Sequence, residues 1–147
     1  MMSSPRKPSE ETDSYWISEI GPEPYARESV LGKWLVFVPL AQIDQVWEEI
    51  RKRVATGELR AVGAKTATAR PNSLAADSSS TKVICVYTSP ERVDEVGLRL
   101  IELPCVRRTI RYKTDAATNE GQYVKFGHKK VTCRTLHWND GNPTFQD

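Results

Sequence analysis

The run KWLVFVP at 33–39 carries apolar side chains on nearly both faces of an extended chain, so it reads as a buried strand. Pro39 has no amide hydrogen and closes it. KVICVYTS at 82–89 reads as a second, central strand. Strands of this kind need a covering layer, and the intervening sequence supplies one. In LAQIDQVWEEIRKRVATGEL (40–59), Ile43, Val46, Trp47, Ile50 and Val54 recur at helical spacing. Gly57 stops that helix after Arg51, Lys52 and Arg53. Ser89 and Pro90 read as the N-cap and first position of a second helix. Its buried stripe is Val93, Val96, Leu100 and Ile101, and Pro104 ends it.

RAVGAKTAT (60–68) is expected to be a strand with Val62 and Ala64 inward and Gly63 and Lys65 outward. ARPNSLAADSSST (69–81) reads as a polar, flexible loop. VRRTIRYK (106–113) alternates: Val106, Arg108, Ile110 and Tyr112 point one way, and Arg107, Thr109, Arg111 and Lys113 the other. The second set is uniformly basic apart from one hydroxyl. TDAATNEG (114–121) reads as a loop or tight turn. QYVKFGHKKVTCRTLHW (122–138) is expected to hold one or two edge strands. The element order β-α-β-β-α-β gives an α+β fold: a curved, mostly antiparallel sheet with both helices on its convex face. Lys65, Arg107, Arg111 and Lys113 would then share the other, concave face.

The 147 residues suit one domain with a sizeable core. Residues 1–14 are expected to be a disordered tail, 15–135 the domain and 136–147 a C-terminal tail. YWISEIGPEPYARESVLG, within this plan, is an ordered arm lying over the domain. A net charge of +2 excludes a strongly basic nucleic-acid tail, so any anion site must come from local clustering. No stretch is long and apolar enough to cross a bilayer, and the N-terminus lacks the apolar core of a signal peptide. Cys85, Cys105 and Cys133 form no C-x-x-C pair. An odd, widely spaced set indicates reduced thiols, and a cytoplasmic protein is expected, with the nucleus as a second location. Cys85 reads as a core residue. His128 and His137 have no metal spacing to a cysteine, so neither a metal nor a cofactor is expected.

GKWLVFVPLAQIDQVWEEI, AKTAT, KVICVYTSPERVDEV and YKTDAATNEG resemble the small family named for expression in basophilic leukaemia cells, whose domain has no assigned function. The resemblance covers residues 14–123. That family is similar in fold to the cap-binding translation initiation factor 4E. The matching motifs are Gly32–Leu35, Trp47, Val62–Lys65, Tyr87–Thr88, Tyr112 and Asp115–Gly121. The resemblance implies a phosphate-binding face that keeps Lys65, with Tyr87 as the aromatic beside a base. It does not imply cap specificity. The two cap-clamping Trp and the reading Glu lie in an N-terminal half that this chain largely lacks, and the factor's phosphate-binding Arg is Gly63 here.

The candidate ligand residues are Lys65, Arg107, Arg111 and Lys113, because an Arg fork grips phosphate bidentately and Lys adds a compact charge. The alternative is an ordinary solvated face paired with nearby carboxylates. Asp115 and Thr118 could add hydroxyl or backbone contacts, or merely shape a turn. Trp16 is a candidate stacking platform, or else the pin that holds the arm. Trp34 and Trp47 read as core, and Trp138 lies in the polar tail. The leading reading is a noncatalytic binding module for a phosphorylated small molecule or RNA end. A second is a lyase or hydrolase on a phosphorylated substrate, with Lys65 or Lys113 as base and His128 as acid. A third is a protein-interaction module using the helical face. A monomer with no membrane contact is expected.

Overall fold

The computed structural model describes residues 7–70, 81–106, 108–114 and 133–146. The strands are β1 (Trp16–Ile20), β2 (Gly32–Pro39), β3 (Gly63–Ala67), β4 (Thr81–Thr88), β5 (Thr109–Thr114), β6 (Cys133–Asn139) and β7 (Asn142–Gln146). The helices are α1 (Ile43–Ala55) and α2 (Val93–Ile101), each entered through a short 3-10 turn. The strands form one sheet in the order β1-β3-β4-β2-β5-β6-β7, and each neighbouring pair is antiparallel. The chain is therefore α+β, as its pattern implies, and the two apolar runs, β2 and β4, lie side by side inside the sheet.

Both helices cover the same face. Trp34, Val36 and Val38 of β2 and Ile84 and Val86 of β4 share one core with the stripes Ile43, Val46, Trp47, Ile50, Val54 and Val96, Leu100, Ile101. Trp34 lies at its centre. Its indole nitrogen donates to the Val93 carbonyl at 2.8 Å, and Tyr112 meets its ring edge-on at 5.6 Å. A glycine inside a helix costs about 1 kcal/mol against alanine. Gly97 is in α2 because a Cβ there would lie 2.5 Å from the Trp34 ring. Gly57 adopts a φ of 83°, the left-handed conformation that ends α1. Ser89 is extended but its side chain makes no cap hydrogen bond.

Several regions differ from the sequence expectation. The arm contains β1, which pairs along the edge of β3. Within the stretch expected to be a disordered tail, Pro8–Glu10 form a 3-10 turn, and Ser9 donates to Asp44 through its amide. Residues 1–6 lie outside the described residues. The stretch read as a tail from 136 carries the second half of β6 and all of β7. There Leu136 is buried, and Trp138 and Phe145 pack on the main core. Their alternation is too short to stand out from the polar residues around them. The strand expected at 60–68 begins at Gly63, because Arg60 turns the chain with a φ of 58°.

Candidate ligand-binding face

Alternation along each strand sends every second side chain away from the helices. From β2 these are Lys33, Leu35 and Phe37, and from β4 Val83, Cys85 and Tyr87. From β3 they are Gly63, Lys65 and Ala67, and from β1 Trp16, Ser18 and Ile20. From β5 they are Thr109, Arg111 and Lys113, opposite Leu35 and Lys33 of β2. Among the described residues, no helix packs on this face.

The register arranges these side chains in rows across the sheet. One row runs Ser18, Lys65, Cys85, Leu35, Arg111. The next runs Ile20, Gly63, Tyr87, Lys33, Lys113. Lys65 and Arg111 thus face the same side but stand three strands apart, roughly 14 Å at ordinary strand spacing. Lys33 and Lys113 are direct cross-strand neighbours. Lys33 was not among the expected site residues. Its signal was available, since it alternates with Trp34, which reads as core.

The face is therefore not uniformly basic. Leu35, Phe37, Trp16 and Tyr87 pack around Ala67, Val83 and Cys85 in a second apolar cluster, separate from the main core. This explains why KWLVFVP is apolar on both sides: one side feeds the main core and the other this cluster. The Lys65 ammonium sits 4.0 Å over the Trp16 ring and 5.9 Å from that of Tyr87. Trp16 both anchors β1 and carries a cation on one ring face.

Arg111 is exposed and Lys113 half-buried. Among the described residues, neither they nor Lys65 forms an ion pair. Arg107, Asp115, Thr118 and His128 lie outside the described residues, as do 115–121 of the stretch expected to be a loop or tight turn. At the far edge, His137 of β6 lies 3.1 Å from the Thr109 hydroxyl and 3.2 Å from the Gln146 amide oxygen. Burial pushes the Cys105 thiol up from its ordinary value, which keeps it protonated and unreactive near neutral pH. No helix among the described residues is long and apolar enough to cross a membrane.

Comparison with curated proteins gives no match. A family model does match, over residues 17–120, and it is described as basophilic leukemia-expressed protein Bles03. That stretch holds β1 from its second residue, β2 through β5, both helices, and the rows carrying Lys65, Tyr87, Lys33, Arg111 and Lys113. The chain belongs to the Bles03 family.

Proposed function

We propose that the helix-free face binds a phosphorylated ligand, a nucleotide or the phosphorylated end of an RNA, without catalysis. Arg111 and Lys113 hold the phosphate, Lys33 borders them, and the flat base lies toward Tyr87 and Trp16. The observation that carries this reading is the contrast between most arginines of the helix side and the two cations of this face; Arg108 and Lys52 form no ion pair among the described residues either, but they are exposed and stand apart. Arg51, Arg53, Arg60, Arg92, Arg99 and Arg134 each engage a carboxylate on the helix side or at its rim. Arg111 and Lys113 engage none among the described residues, although like charges on one face repel. A phosphate would neutralise them, and it matches the guanidinium fork. Tyr87 and Lys113 stand two strands apart in one row, roughly 10 Å at ordinary spacing. That span suits a base at one end and a phosphate at the other. An initiation-factor-4E-like fold belongs to the same proposal. Two helices on one face of an antiparallel sheet, with Lys65 projecting from the other, support it.

The test compares a short RNA bearing a 5′-phosphate with the same RNA bearing a 5′-hydroxyl. The phosphorylated form should bind about tenfold tighter, equivalent to about 1.4 kcal/mol. The double substitution Arg111→Ala/Lys113→Ala should erase that difference. Equal binding of the two RNAs to the parent protein would refute the reading.

A further inference from the structure

Beside Lys65 the helix-free face runs into a groove of about 530 Å³, within the size range of small-molecule sites. Ile20, Val30, Val62 and the Tyr87 ring line it, with Ser18 and Lys65 supplying polar side-chain groups. Its opening follows from the register. Gly63 stands between Tyr87 and Ile20 in one row, so no side chain fills the gap. A Cβ there would come within 2.9 Å of the Glu19 carbonyl oxygen. The walls are tied down on both sides. The Gly21 amide donates to the Val62 carbonyl at 2.9 Å, and the Val62 amide donates to the Tyr87 carbonyl at 2.9 Å. The segment carrying Ala26 and Val30 is anchored where Arg92 grips Glu28 at 3.1 Å and covers the Tyr25 ring at 5.1 Å. Glu19, the acidic residue of the lining, has its carboxylate 3.3 Å from Arg51. The charge left to meet a ligand is the Lys65 ammonium.

We propose that this groove is a distinct subsite for a small aromatic monoanion, its ring slotted beside Tyr87 and its charge on Lys65. An apolar cleft with one cation at its side discriminates twice: it rejects neutral rings for want of the ion contact and hydrophilic anions for want of a ring. The subsite shares Lys65 and Tyr87 with the phosphate face but stands on the groove rather than on Arg111 and Lys113.

The probe is 8-anilinonaphthalene-1-sulfonate, followed by its fluorescence on the full chain, with N-phenyl-1-naphthylamine as the same ring system without charge. The sulfonate should bind one-to-one and more tightly than the neutral amine. Ile20 is 71% exposed, so Ile20→Glu should fold normally while placing a carboxylate at the groove. Lys65→Met removes the charge and keeps the stem. Each should weaken dye binding about tenfold, with thermal melts confirming the fold. Phe37→Ser, in the flat apolar cluster, and Arg111→Ala should change it less than about twofold. Parent-like binding by either groove variant overturns the subsite, as does equal affinity for the neutral amine or a loss confined to Phe37→Ser. Loss of phosphorylated-RNA binding in Arg111→Ala with dye binding retained separates the two sites. An unresponsive groove with RNA binding intact would sink the subsite alone.

Discussion

On the helix side, Arg92 closes on Glu28 and Glu95 and Arg51 on Glu48 and Glu19, while Trp34 satisfies its indole proton on Val93. Across the same sheet, Arg111 projects into solvent and Lys113 stands beside Lys33. There Phe37 and Leu35 pack only in part, against a cluster of three buried residues. The two faces share one backbone, so sheet formation does not explain the difference. On the helix side most charged groups meet a carboxylate and the rings fill the core, while the Trp47 indole nitrogen and the Arg53 and Arg99 Nε atoms are buried without a partner among the described residues. On the opposite side Arg111 and Lys113 meet no carboxylate among the described residues, and Leu35 and Phe37 are only partly covered, which is the contrast that the proposed ligand would resolve.

The largest expected effect breaks this comparison by truncation. Trp34→Ala should destabilise by about 3–5 kcal/mol, as a fully buried ring does, whereas Phe37→Ala should cost under about 2 kcal/mol because its surface is only partly removed from water. Denaturant unfolding of both decides it, and equal losses would mean that the second cluster is a true core. A finer version uses the indole nitrogens. Trp34→Phe removes the indole hydrogen bond to Val93, whose carbonyl keeps its helical partner in α2, and should cost about 0.5–1.5 kcal/mol beyond the lost area. The Trp47 nitrogen is buried without a partner among the described residues, so Trp47→Phe should cost less.

Much of this was legible beforehand. The helical stripe around Trp47, the inward set Ile110 and Tyr112 and the outward Lys65 all follow from period, because burial on one side enforces it. Other features depend on distant partners that local pattern does not contain. Gly97 is explained by Trp34, more than sixty positions earlier in the chain. β1 reads as an arm because its five residues become a strand only on the edge of β3. β7 escaped notice because only Phe145 of its residues packs on the core. The helix-free face was read from two strands, 60–68 and 106–113, and the basic alternation of the second hid the apolar half that β2, β4 and β1 bring beside it.

Charge gives smaller effects. Arg51→Ala should cost about 1 kcal/mol or less, the worth of a partly exposed ion-pair network. Arg111→Ala should leave the melting temperature unchanged or raise it, since it relieves repulsion from Lys113 and Lys33. Acid should separate the faces too. The Arg92 hydrogen bond holds the Glu28 carboxyl below its ordinary value of 4.5, and that of Arg51 does the same for Glu48. A depressed folded value contributes stability that is present above 4.5 and lost as pH falls through the folded value. Glu28→Gln/Glu48→Gln should therefore flatten the fall in melting temperature below about pH 4.5. Arg111→Ala should leave that slope as it is.

The claim that the helix-free face exists to meet an anion is tested most directly by a salt titration of 5′-phosphorylated RNA binding. Contacts between protein cations and phosphate release counterions, so affinity should fall linearly on a log–log plot against salt. Arg111→Ala should weaken binding and make that slope shallower by about one ion, about 0.7 for a single strand. Arg60, already paired with Glu95 at 3.2 Å, is the control, and Arg60→Ala should leave both affinity and slope unchanged. If Arg60→Ala and Arg111→Ala act equally, or the slope is indifferent to both, the unmatched cations of the helix-free face are only a solvated surface.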